Sequence, residues 1–200
     1  PPEQGGGLLG DPENLRMRRL AVDRNKKSIL LNMKHPEGQR LFQKLATAAD
    51  VLIEGFRPGV MARLGADYET LRRLNPRLIY CSISGYGQTG PWRLVPGHDV
   101  NFLGLAGALS MIGEADRRPV IPINFVADYG SAAMHAVAGV LMAVIARGKT
   151  GEGQYIDVSY TDGVIAMMGA MPAVWECLAR GRVVERGTTM VVGAYAYNGV

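Results

Sequence analysis

The alternation of apolar and polar positions divides the chain into short strands and amphipathic helices. An apolar run at residues 28–32 suits a strand. His35-Pro36-Glu37-Gly38 then opens a helix in which Leu41, Phe42, Leu45 and Ala49 recur at helical spacing, and Asp50 ends it. VLIE at residues 51–54 reads as a buried strand, and GFRPG at 55–59 reads as a strand-to-helix turn. A short helix follows, then another from Tyr68 to Leu74 that Asn75-Pro76 stops. LIYCSIS at residues 78–84 is a second strong strand, so the order strand, helix, strand predicts an α/β layer on a parallel sheet. Residues 85–97 hold four glycines and two prolines and read as a long loop, the kind of segment that often carries function.

In the second half, small residues at Gly104, Ala106, Gly107 and Ala108 predict one closely packed helix over residues 100–112. IPINFVAD leads into a helix over residues 130–147 that is apolar on nearly every face, which predicts burial, with His135 as a satisfied core histidine. GKTGEGQ turns into the strand YIDVSY, and Asp162 opens a Met- and Ala-rich helix reaching about Arg180. Met167, Met168 and Met171 there fill a core or line an apolar pocket. GRVVERGTT resembles an interdomain linker, and MVVGAYAYNGV looks like the first strand of another unit. The longest apolar stretch, residues 132–146, falls short of the roughly 20 needed to span a bilayer, so no membrane partner is expected.

Composition refines this picture without changing it. With 48% hydrophobic and 20% charged residues in a length of 200, the chain is of ordinary globular type. The net charge of +4 is unevenly placed: residues 1–100 carry 15 Lys and Arg against 10 Asp and Glu, and residues 101–200 carry 7 against 8. The excess concentrates at Arg16, Arg18, Arg19, Arg24, Lys26, Lys27, Lys34, Arg40 and Lys44, opposed only by Asp23 and Glu37. Such a run is a solvated face or a site for polyanions. No aromatic residue occurs in residues 1–41, so there is no stacking platform for nucleic acid, and a phosphorylated small molecule suits the run better. Cys81 and Cys177 form no metal or disulfide pattern, which fits a reducing, cytoplasmic compartment. The ragged ends, PPEQGGG and AYAYNGV, read as those of a piece cut from a longer protein.

Two familiar patterns fail on context. Residues 85–90 spell GxGxxG after a strand, but Pro91 and Pro96 prevent the helix that a dinucleotide fingerprint requires. Gly148-Lys149-Thr150 imitates the end of a phosphate-binding loop, yet Ala143 replaces the first glycine and a helix precedes it. Candidates for acid/base chemistry are few, because only His35, His98 and His135 are present. His98 lies between Pro96-Gly97 and Asp99 at the start of a helix, where free backbone N–H groups favour an oxyanion; a plainer reading makes Asp99 a local helix cap and His98 an exposed loop residue. Asp128 precedes the apolar helix, either as its N-cap or as a carboxylate whose pKa burial would raise. Asp157 and Asp162 have structural explanations, as an alternating strand residue and a cap.

Taken in order, ADVLIEGFRPGVMARLG, NPRLIYCSISGYGQTGP, PGHDVNF and INFVADYGSAAMHAVAGVLMAVIARGKTGEGQYIDVSYTDG resemble the type III CoA-transferase (CaiB/BaiF) superfamily, and within it the α-methylacyl-CoA racemases. The resemblance implies a Rossmann-like parallel-sheet large domain, a smaller second domain, and two chains interlocked as a homodimer. It places residues 1–186 in an N-terminally incomplete large domain and residues 187–200 in a linker and truncated second domain. It implies no metal and no separate cofactor, CoA being part of an acyl-CoA substrate. CoA-contacting positions of the family fall on Leu31, Lys34, Phe56, Arg57, Val60, Arg63 and Leu64, with Arg57 and Arg63 flanking a helix start. The superfamily holds two chemistries. In transferases an Asp at the position of Asp128 attacks the thioester; in racemases that Asp and the His of a GHD triplet, here Gly97-His98-Asp99, exchange the α-proton. The triplet favours racemisation of 2-methylacyl-CoA thioesters, an activity of lipid metabolism, with the backbone N–H of Asp99 as oxyanion donor. A CoA transferase and an inactive CoA-binding homologue are the alternatives. A Glu from the second domain is expected beyond Val200.

Overall fold

The computed structural model describes residues 23–188, which divide between two compact units, residues 1–32 and residues 33–200. Of the first unit only residues 23–32 are described, and the run at 28–32 forms no strand: it is irregular, with Leu30 98% exposed. An apolar run has nothing to hold it extended when no strand pairs with it. Arg16, Arg18 and Arg19 of the basic run, and the strand expected within MVVGAYAYNGV, lie outside the described residues.

The second unit is built on three parallel strands in the order β1 (Val51–Glu54), β2 (Ile79–Ser84), β3 (Tyr155–Ser159). β2 is central and almost wholly buried, as expected of a parallel strand covered on both faces. Alternate residues of β2 face opposite layers. Tyr80 points to α1 (Pro36–Thr47), α2 (Val60–Arg63) and α3 (Tyr68–Leu74), in a core with Ala46, Met61, Ala66, Leu71 and Leu78. Cys81 points to the opposite layer, against Ala132 and Ala136 of α5 (Phe125–Thr150) and Val158 of β3.

The N-terminus of α1 is set by His35, whose Nδ1 accepts from the Glu37 N–H. Its C-terminal end is satisfied from a distance: Asn75 Nδ2 donates to the carbonyls of both Ala46 and Ala49, each at 3.0 Å, while its Oδ1 accepts from Arg77 N–H. One amide thus locks the end of α1 to the turn entering β2. At the same end of the sheet, Arg147 donates to the carbonyls of Asp50 and Arg77 and pairs with the Asp50 carboxylate at 2.9 Å, tying the end of α5 to the starts of β1 and β2.

The helices of the second half depart from the pattern read off the sequence. The expected helix over residues 100–112 is α4 (Asp99–Ala106) followed by a 3₁₀ turn (Ala108–Met111), broken where Gly107 adopts φ 87°. The long helix begins at Phe125, not 130, as a π-helix (Phe125–Ala133), and continues as a regular α-helix (Met134–Thr150). Joined, they make 26 residues holding an 18-residue stretch with a mean hydropathy of 1.6, long and apolar enough to cross a membrane by length and composition alone, which corrects the estimate from residues 132–146. Nor is this helix buried all round: Ala132, Ala136 and Ala143 meet the protein interior, whereas Met134, Leu141, Met142 and Ile145 are more than half exposed. His135 is exposed rather than in the core, with Nδ1 2.7 Å from the Ser131 carbonyl. The Met-rich segment is two helices, α6 (Tyr160–Met168) and α7 (Pro172–Arg180), bent by 85° across the break at residues 169–171; Ser159, not Asp162, caps α6 by accepting from Asp162 N–H. Gly148-Lys149-Thr150 is simply the end of α5.

Asn75→Ala removes the two bonds that close the end of α1 and the one that holds the turn into β2. It is expected to lower stability by about 1–3 kcal/mol, read as a reduced urea midpoint at unchanged m-value.

Candidate active site

A cleft of about 540 Å³ opens beyond the C-terminal ends of all three strands, the position at which open parallel sheets bind ligands. Gly55, Phe56, Arg57 and Pro58 line it after β1, Ile83, Ser84 and Gly85 at the end of β2, and Tyr160 after β3. Arg93, Val95, Pro96 and Gly97 contribute the long loop, His98, Asn101 and Phe102 the start of α4, and Asp128 the first turn of α5.

The loop is held by close packing around one ring. A Cβ on Gly97 would lie 2.6 Å from Phe102 Cε1, and a Cβ on Gly85 would lie 2.7 Å from the same atom. Both positions require glycine because the backbone touches Phe102 from two sides. That ring also stacks on Tyr160, with centroids 4.9 Å apart, and meets Tyr86 edge-on at 5.4 Å. Asp157 fixes the other end of the loop by accepting from Gln88 N–H at 3.0 Å, so its carboxylate does more than alternate along a strand. The GxGxxG segment ends in turns, not a helix.

His98 is the residue before α4, in an extended conformation, and its N–H donates to Asn101 Oδ1 at 2.9 Å. The adjoining Asp99 N–H belongs to the first helical residue and has no acceptor within its own helix. Asp99 itself does not cap α4. Its side chain turns beneath the cleft, 6% exposed, and Oδ2 accepts from the N–H groups of Ala127 at 2.9 Å and Asp128 at 3.0 Å. Asp99 therefore caps α5, a helix 28 residues further on. Asp128, read from sequence as a possible cap, is instead the residue being held. Burial pushes the Asp128 carboxyl above the ordinary value, as does the Asp99 charge; a hydrogen bond with Asn124 and the proximity of His98 oppose this. Tyr160 is also raised, by burial first and then by Asp128.

Of the residues selected from sequence, His98, Asp128, Phe56 and Arg57 meet in this cleft. Lys34, Val60, Arg63 and Leu64 do not line it; α2, where Val60 and Arg63 lie, is a single four-residue turn, too short to supply a helix-terminus anion site. Leu31 belongs to the other unit. Sequence reasoning missed Arg93, Asn101 and Tyr160. The loop position of Arg93 was a signal for it, but no local pattern marks Tyr160, which arrives from β3. The methionines line a separate apolar cavity of about 330 Å³ with Met111, Ile112 and Val126. No group of metal-ligating side chains occurs among the described residues.

An imidazole and a carboxyl thus meet at the carboxyl end of a parallel sheet, the ligand-binding edge of an α/β fold. The sequence profile of CoA-transferase family III matches residues 12–198, and the chain belongs to that family. It is 42% identical over 142 residues to α-methylacyl-CoA racemase of Homo sapiens, covering 71% of this chain and 37% of the relative. It is equally close, at 43% over 142 residues, to succinate–glutarate CoA-transferase of Agrobacterium fabrum, covering 71% and 35%. Among solved structures, a CaiB/BaiF family protein from Brucella suis matches with a TM-score of 0.74 and 37% identity, over 80% of this chain and 42% of that one. The chain thus spans less than half the length of these relatives.

Because the Asp128 pKa is raised in the folded protein, its carboxyl favours the native state most when protonated, and this contribution is lost as pH rises through that raised value. Asp128→Asn is therefore expected to raise Tm at pH 7, with the gain vanishing as pH falls below the ordinary carboxyl range near 4. Calorimetry across pH checks the sign.

Proposed function

We propose that the protein is a racemase of 2-methylacyl-CoA thioesters, working by 1,1-proton transfer. The observation that carries this reading is the meeting of His98 and Asp128 in one cleft, from positions thirty residues apart, with the carboxyl biased towards holding a proton. The thioester carbonyl acidifies the α-hydrogen. One group of the pair takes that proton as the C–H electrons move into an enolate, and the other, protonated beforehand, returns a proton to the opposite face. The two groups have then exchanged protonation states and the centre is inverted. Positioned proton transfer contributes roughly 10²- to 10⁴-fold, so stabilisation of the enolate oxygen supplies much of the remainder. The Asp99 N–H is the donor assigned to it.

Arg57 and Phe56 in the cleft support placing the CoA end there, with Lys34, Val60, Arg63 and Leu64, outside the cleft, as its further contacts in the complete protein. The methionine-lined cavity suits an adaptable apolar acyl group. No separate cofactor is required. The full protein is proposed to act as an interlocked homodimer in the cytoplasm, with residues 1–186 in its large domain and a second-domain Glu completing the site.

The second reading, a CoA transferase in which Asp128 attacks the thioester carbonyl and carries the acyl group, is favoured by transferase relatives at equal identity. Full-length protein in D₂O with a 2-methylacyl-CoA and no acyl acceptor separates the two. Racemisation predicts deuterium at the α-carbon by mass spectrometry, and His98→Ala is expected to slow this exchange by about 10²-fold or more. Absence of exchange, with CoA transfer appearing once a free carboxylic acid is added, would establish the transferase instead.

A further inference from the structure

We infer that the side chain of Asp99 is a positioning residue for the reaction: through Oδ2 it fixes the first turn of α5 and with it the place of the Asp128 carboxyl relative to His98. This goes beyond the roles of His98, Asp128 and the Asp99 N–H, and it rests on Asp128 being the reacting carboxyl.

Three observations support it. First, the two bonds from Ala127 N–H and Asp128 N–H converge on one oxygen, and these groups stand in the opening turn of a π-helix, where the amides have few acceptors of their own. Second, Asp99 is next in sequence to His98 and bonded to Asp128, so a single residue links the two reacting groups through one peptide bond on one side and a hydrogen bond on the other. Third, Asp99 is 6% exposed, and Oδ1 is buried without a hydrogen-bond partner among the described residues. A buried carboxylate with one unsatisfied oxygen is costly to the fold. An amide or hydroxyl at this position would satisfy the same N–H groups at lower cost; what only the carboxylate adds is negative charge beside Asp128.

That charge opposes ionisation of Asp128. The other groups facing Asp128 are His98 from α4, Tyr160 from α6 and Asn124 in the turn before α5, with Arg57 and Arg93 on the same cleft. Of these, His98 and the Asn124 hydrogen bond act against Asp99. Asp99 thus orients Asp128 by hydrogen bonding and holds its proton by charge, two effects that different substitutions separate. Neither substitution removes the backbone N–H at position 99.

The test compares wild type, Asp99→Asn and Asp99→Ala in the full-length protein. Asp128 is titrated by ¹³C-carboxyl NMR, and α-deuterium exchange gives kcat and KM. Asp99→Asn keeps an oxygen for both N–H groups, so its loss of kcat is smaller than that of Asp99→Ala, while the Asp128 titration and the matching limb of the pH–rate profile move to lower pH. Asp99→Ala releases the turn, so kcat falls by about 10- to 100-fold, the scale of a small misplacement of a catalytic group, with KM within about threefold. The inference is overturned if Asp128 titrates unchanged in Asp99→Asn, or if kcat and KM deteriorate together in Asp99→Ala. Should Asp99→Ala fail to fold, Asp99→Ser, whose shorter side chain does not reach both N–H groups, is read in its place and is expected to lower kcat with KM little changed. The NMR titration needs no turnover, so it stands even if wild type shows no exchange and the racemase reading fails.

Discussion

The site depends on one carboxylate oxygen. Asp99 Oδ2 is the point at which the helix following the long loop and the helix preceding β3 are joined by hydrogen bonds. Apolar contacts bring these helices together, through Phe102, Leu103, Ala127, Val164 and Met168, but such contacts are tolerant of small slides. A directional bond is not. It converts a hydrophobic cluster into a defined distance between two polar groups on its rim, which is what the proposed proton transfer requires.

Around that point the structure has a simple division of labour. The parallel sheet, with its central strand buried on both faces, supplies a rigid edge from which three turns project. Each turn sends residues into the cleft: the GFRP segment after β1, the glycine-bounded loop after β2, and Tyr160 after β3. The loop could not lie against the sheet edge with larger residues at 85 and 97, because both backbones contact the Phe102 ring. Glu54 helps the first turn in a quieter way: buried at the end of β1, it accepts from Phe56 N–H at 2.8 Å and so sets the path of the chain into Arg57.

Much of this was legible in the sequence, and the limits have physical reasons. VLIE, LIYCSIS and YIDVSY are strands as read, because their apolar runs are short and bounded by turn residues. The run at 28–32 looks similar locally but forms no strand. His98 and Asp128 could be selected by residue type and by resemblance, yet their meeting depends on tertiary packing. Asp99 was the least legible residue of the site. A carboxylate at the start of a helix suggests a cap for that helix, and nothing within several residues of it reveals that its acceptor oxygen serves an amide 28 positions away.

The π-helical opening of α5 resolves a conflict of direction. In an uninterrupted α-helix, positions 128, 132 and 136 fall on one stripe, because residues four apart share a face. Ala132 and Ala136 of that stripe lie against the sheet, so a regular helix would aim Asp128 into the apolar layer beside Cys81. Widening the turns by one residue per hydrogen bond changes the angular step, and the same chain can keep its alanines on the sheet while the carboxyl turns out towards His98. The irregular winding works as a phase shifter: it lets one helix satisfy two neighbours that a uniform pitch could not serve together.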